Sequence, residues 1–368
     1  MTRARRELIS LTETPYYHCI ARCVRRAFLC GVDFHSGQDY SHRRNWVLER
    51  MRTLEAMFAI EVCSYAILSN HYHLVLKVDA KRAQAWTMDE VIARWNVLFA
   101  GPDLVKRYQT GKLLGAAELN KAKEIVEEWR ARLVDISWYM GTLNEHIARL
   151  ANAEDKCKGR FWEGRFRSQA LLDEQALLTC MAYVDLNPIR AQMAATPEDS
   201  DFTSIQQRII EIKDGAAQRE SRQPLPPPRY PLTQSCERSG IKQTVAQMGS
   251  CPLLGFIGGQ DSNAGLPFRL DDYLELVDWS GRNIRADKSG AIPAGLPSIL
   301  SRFDIDEAEF LKHVSHRRPP PETDEKASPF YTALGTPARL KIVALNWGRK
   351  FFKGYDKAQR LFSAAPVR

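Results

Sequence analysis

The sequence has no Cys-x-x-Cys pair. Its eight cysteines, Cys19, Cys23, Cys30, Cys63, Cys157, Cys180, Cys236 and Cys251, are scattered. That spacing argues against a paired-cysteine zinc module. No apolar run reaches the roughly 20 residues of a membrane-spanning helix, so no membrane association is expected. The opening Met-Thr-Arg-Ala-Arg-Arg-Glu leads into no long apolar stretch, and no signal peptide is expected. Together these absences predict a cytoplasmic protein with reduced thiols. There is no glycine-rich phosphate loop, which argues against a nucleotide cofactor. Internal repeats are also absent. Acidic residues are the scarcer charge, 44 against 52 Lys and Arg, for a net +8. That balance favours an anionic partner, nucleic acid or an acidic surface, and is silent about fold.

What is present is enough for two domains. The chain has 368 residues with an ordinary 44 % apolar content. Residues 16–24 predict a first strand after Pro15. Residues 41–58 predict a helix, with Trp46, Val47, Met51, Leu54 and Met57 at helical spacing. Residues 60–68 and 71–78 predict two strands joined at Ser69-Asn70 as a hairpin. Helix formers fill 87–99 and 116–153, with the best amphipathic run from Ile136 to Asn152. Residues 158–164 predict an irregular loop, and Arg165 to Leu171 alternates as a fourth strand. A helix follows over 174–187. The order β-α-β-β-α-β-α predicts an α+β, ferredoxin-like (RRM-like) antiparallel sheet with helices on one face.

Composition then changes. Residues 214–250 gather Pro224, Pro226, Pro227, Pro228 and Pro231 among Gln, Ser and Arg, as in a linker. Residues 251–368 predict a mostly helical extension. Short helices are expected over 271–277 and within 295–310. A better one starts at Thr336-Pro337 and runs to Trp347, stopped by Gly348. Arg339, Lys341, Arg349, Lys350, Lys353, Lys357 and Arg360 face only Asp356 in sign. They form either a DNA-binding stretch or a solvated helical surface.

Two stretches carry chemistry. In Ser69-Asn70-His71-Tyr72-His73, strand alternation projects His71 and His73 from one face. Two imidazoles at this spacing either chelate one divalent metal or sit on a half-exposed sheet face bonded to water or a carbonyl. In residues 174–191, Leu177, Leu178, Met181, Val184 and Leu186 form a broad apolar stripe. Tyr183 and Asn187, four apart, share one helix face. Pro188 disfavours helical geometry at Asn187. The helix is therefore expected to end or kink there, with the carboxamide either capping the next turn or binding metal.

The segments S-N-H-Y-H-L-V-L, F-W-E-G-R-F and Y-V-D-L-N-P-I-R-A together resemble the single-tyrosine HUH transposases of insertion sequences, within them the REP-associated tyrosine branch. The likeness spans about residues 14–210, so 1–213 is expected to be the catalytic domain, 214–250 a linker and 251–368 an extension. It implies DNA transposition: nicking and rejoining of single-stranded or hairpin DNA through a 5′-phosphotyrosine. It implies Tyr183 as nucleophile, and His71, His73 and Asn187 as ligands to a divalent metal, Mg2+ or Mn2+. It implies either a monomer or a homodimer.

Arg22, Arg25, Arg26, Arg160, Arg165 and Arg167 are candidates to line a phosphate groove. Trp162 and Phe161 are candidates to stack on bases, whereas Phe166 alternates towards the core. Two competing readings stand beside this one. The first is a domesticated DNA-binding protein that recognises palindromic repeats with little or no cleavage. The second is a metal phosphoesterase of small nucleotides that uses no covalent tyrosine.

Overall fold

The computed structural model describes residues 8–24, 29–33, 36–112, 115–191, 193–194, 196–211, 253–256, 265–283, 333–349, 352 and 355–362. Strands β1 (Tyr16–Arg22), β2 (Ile60–Ile67), β3 (His71–Val78), β4 (Arg167–Leu171) and β5 (Ala333–Leu334) form one sheet in the order β2-β3-β1-β4-β5. The first four pair antiparallel, which is the ferredoxin-like order, and β5 adds in parallel to β4. The expected α+β class is what the chain adopts.

Alternation divides the sheet into two faces. Tyr17, Cys19, Tyr72, Leu74, Leu76 and Ala170 lie on the first, all buried. Helices α1 (Arg43–Met57) and α6 (Ile136–Glu154) cover it. Tyr72 donates its hydroxyl to Asn144 of α6 at 2.6 Å, and Phe58 after α1 meets Tyr139 edge-on at 5.5 Å. Fully buried Arg43 ties the start of α1 to the end of α6 through Glu154 at 2.6 Å and Asp155.

Helices α2 (Ala80–Ala85), α3 (Met88–Leu98), α4 (Asp103–Gln109) and α5 (Ala116–Arg132) pack beside this layer around stacked Trp95 and Trp129, 5.1 Å apart. The stretch of helix formers over 116–153 forms two helices, the second covering the expected amphipathic run from Ile136 to Asn152. Asp135 starts the second by accepting the Ser137 N–H at 2.5 Å.

Helix α7 (Glu174–Asp185) and the single turn α8 (Asn187–Arg190) lie across the other face. There Ser64 reaches Asp185, and the Tyr183 ring meets His18 and His73. The sheet therefore carries helices on both faces, α1 and α6 together on one and the tyrosine helix on the other.

The predicted linker, 214–250, lies outside the described residues, as does 295–310. Beyond it, residues 253–256, the helix Leu270–Asn283, β5 and the helices Pro337–Asn346 and Tyr355–Phe362 all feed the same hydrophobic core. Leu254 bonds to the outer edge of β2, and β5 to that of β4. Each ladder bond of β5 contributes about 0.5–1.5 kcal/mol. Burying a Leu or Val contributes roughly 1.5–3 kcal/mol. Leu340 and Val343 are both buried, so packing more than pairing holds this segment down.

Candidate metal and tyrosine site

The Ser69-Asn70 turn starts β3 with His71, and alternation then brings His73 to the same face, ring centroids 4.9 Å apart. Asn70 bonds the Nδ1 of His71 through its Oδ1 at 2.6 Å. A carboxamide oxygen only accepts, so the proton sits on Nδ1 and the Nε2 lone pair is left for another partner. Burial, then the charge of Arg22 opposite it in the ladder, pushes the His71 pKa down to about 4. This imidazole is neutral at pH 7 and can ligate a cation.

His73 is held from both sides. Its Nε2 lies 3.2 Å from the Asn187 Nδ2, and its Nδ1 2.9 Å from the Nε2 of His18. With the amide nitrogen donating, His73 carries its proton on Nδ1 and gives it to His18. His71 and His73 thus share one tautomer, with Nε2 unprotonated.

Helix α7 stops at Asp185 because Pro188 cannot continue its ladder. Leu186 bridges to α8, and the α8 start has no side-chain cap. The Asn187 carboxamide, on the first residue of α8, lies against His73. The Tyr183 ring lies one turn earlier, 5.6 Å from His73 and 6.1 Å from His18. Arg190 places its guanidinium 4.9 Å above that ring. So the four residues singled out in the sequence, His71, His73, Tyr183 and Asn187, converge on one sheet face.

Two neighbours escaped the sequence reading. His18 shares a face with Ile20 and Arg22 by alternation, but only the β1–β3 register brings it to His73. Arg190 sits seven residues after Tyr183, two helical turns on, a spacing the proline break obscured.

Among the described residues no group of three or more His, Cys, Asp or Glu is placed to hold a metal ion. Two imidazoles with a carboxamide fit a divalent cation that accepts mixed nitrogen and oxygen donors, manganese as well as magnesium.

The basic candidates divide. Arg22 and Arg167 are exposed and share the face of His73 through the β1 ladders. Arg160 and Arg165 are exposed on the loop into β4. Arg25 and Arg26 lie outside the described residues. Trp162 does not offer a stacking face. It is 8 % exposed, donates its indole N–H to Asn144 at 2.7 Å and packs against Tyr72 and Phe161. Bridging to Cys23, it closes the end of β1, and Phe161 and Phe166 are buried too. Of the basic stretch near the C-terminus, Arg339 is engaged by Glu13, and Arg349 lies over Trp347 and Phe352.

Comparison with known proteins adds little. No family model and no curated protein matches the chain. One solved structure, a REP-associated tyrosine transposase bound to a REP hairpin, aligns with a TM-score of 0.35 and 11 % identity, over 57 % of this chain and 86 % of that one. At those values the likeness carries no argument about this chain. No helix among the described residues is long and apolar enough to cross a membrane.

Proposed function

We propose that this protein is a transposase-type DNA strand transferase that nicks and rejoins single-stranded or hairpin DNA through Tyr183. The observation that carries the reading is the meeting of Asn187 with His73 at 3.2 Å, beside Tyr183, from elements 114 residues apart.

His71 and His73 would hold a divalent ion through Nε2, with the Asn187 amide turned away from its 3.2 Å bond to His73 Nε2 so that its carboxamide oxygen faces the ion. Bound there, the ion supplies charge neutralisation on the phosphodiester oxygens. Asn70 and His18 fix the ring orientation and tautomer of the two histidines. The Tyr183 oxygen attacks phosphorus, and the bond to the 3′-oxygen breaks, leaving a 5′-phosphotyrosine and a free 3′-hydroxyl. The phenol proton passes to solvent. A 3′-hydroxyl later attacks the phosphotyrosine and releases Tyr183, so joining needs no nucleotide. Arg190 faces the tyrosine ring and opposes the charge that develops there. Exposed Arg22, Arg160, Arg165 and Arg167 would track the phosphates.

A manganese-supplemented nicking assay on hairpin oligonucleotides drawn from the DNA flanking the gene tests the reading. His71→Ala and His73→Ala should each abolish cleavage and leave hairpin binding within about threefold. Full cleavage by either variant, or by the wild type in excess chelator, would sink the metal-assisted mechanism.

A further inference from the structure

The C-terminal region enters the site by way of α7, whose two ends are each held by a carboxylate bonded to residues beyond 252. At the C-terminal end, Asp185 stands between Tyr183 and Asn187 and is completely buried. Its Oδ1 accepts from the Ser204 hydroxyl at 2.5 Å, the Ile205 N–H at 3.2 Å and the Ser64 hydroxyl at 3.4 Å. Its Oδ2 accepts from the hydroxyl of Tyr273, also completely buried, on the helix Leu270–Asn283. A side chain at Gly281 would reach Leu186 at 3.3 Å, so this helix presses its backbone against the residue between α7 and α8.

Tyr273 is itself fixed. Its ring packs on Phe256 at 5.3 Å, and Phe256 lies under the guanidinium of Arg208 at 4.7 Å. Arg208 donates to the carbonyls of Cys63 at 2.8 Å and Leu254 at 3.1 Å. Leu254 in turn donates its N–H to Val62 of β2 at 3.0 Å.

At the N-terminal end, Asp173 caps α7 by accepting the Ala176 N–H on Oδ1 at 2.9 Å. Its Oδ2 accepts the Thr336 N–H at 2.6 Å, two residues after β5.

We infer that Tyr273 is a positioning residue for Tyr183 and Asn187, and that the chain beyond residue 252 clamps α7 at both ends. The inference rests on the function proposed above for those two residues. A buried carboxylate needs all its donors, and losing one leaves an oxygen unpaired where water does not enter. The helix end then relaxes, and displacements of about 1 Å at a reacting group cost up to about 100-fold in rate.

The test uses the full chain with Tyr273→Phe, which keeps the ring and removes the donor. Single-turnover cleavage should fall about 10- to 100-fold while the hairpin Kd stays within about twofold. Amide exchange over 183–187 should quicken at least about tenfold, with the sheet strands unchanged. A second variant, Asp173→Asn, keeps the cap on Ala176 and turns an amide nitrogen towards the Thr336 N–H. It should show the same split, with faster exchange in the first turn of α7.

Wild-type exchange and cleavage rates in both variants would overturn the inference and leave the proposed function standing. Exchange rising uniformly through the protein would reduce Tyr273 to a general stability residue and also overturn it. If the wild type itself forms no nick, the proposed function fails, and local exchange alone decides the clamp.

Discussion

His18 shows how much of the site depends on a residue that would touch neither metal nor substrate. It is completely buried and its Nε2 lies 2.9 Å from the Nδ1 of His73, so its removal takes away a buried hydrogen-bond partner of that imidazole. Outer partners of metal-bound histidines are typically worth 10- to 100-fold in metal affinity. His18→Phe should weaken manganese binding by that order, measured by direct titration. His18→Gln, which keeps an acceptor, should weaken it less. Equal affinity in wild type and His18→Phe would remove His18 from the site. His71 needs no such buried partner, because Asn70 beside it in the turn does the same work. In the sequence Asn70 reads only as a turn residue, and its bond to the neighbouring His71 is seen in the structure. The His18 contact was not readable in the sequence either, because it exists only once β1 and β3 settle into register.

At the scale of elements, periodicity carried the reading far. Alternation placed His71 and His73 on one face, helical spacing found α1 and α6, and the Thr336-Pro337 start with the Gly348 stop found the helix at Pro337. Gly348 does stop that last helix, at φ 62°. What spacing alone could not give is the face of the sheet that α7 covers, since its stripe is apolar nearly all round and every residue of it from Ala176 on is buried. The strand β5 also stayed hidden. Two residues have no period, and packing holds them. A side chain at Gly335 would meet the Leu172 Cβ at 3.0 Å and the Asp173 Oδ2 at 3.1 Å. Gly335→Ala should therefore push the strand end off Asp173 and cost about 1–3 kcal/mol, as overpacking does. Denaturant unfolding measures it, and an unchanged midpoint would mean the contact yields freely.

Across the whole molecule, the proline-rich stretch 214–250 suggested a boundary between a catalytic domain and an extension. Composition marks where a chain leaves its core, but not where it returns. Here it returns to both outer edges of the sheet and to both ends of α7. The net charge of +8 is equally unspecific until the arginines are placed. Arg160 and Arg165 are exposed on the loop into β4. Arg160→Ala and Arg165→Ala should each weaken DNA binding evenly across sequences and lower its salt slope by about 1. Slopes equal to wild type would place the phosphates elsewhere.

The central claim is that Tyr183 becomes joined to DNA. The most direct measurement incubates the protein with manganese and a labelled hairpin oligonucleotide from its flanking DNA, denatures the mixture, and maps the labelled peptide by mass spectrometry. The account predicts a denaturation-resistant adduct on Tyr183 that disappears in Tyr183→Phe, a change of one oxygen that leaves the fold intact. An adduct that persists in Tyr183→Phe, or that maps to another residue, would contradict it.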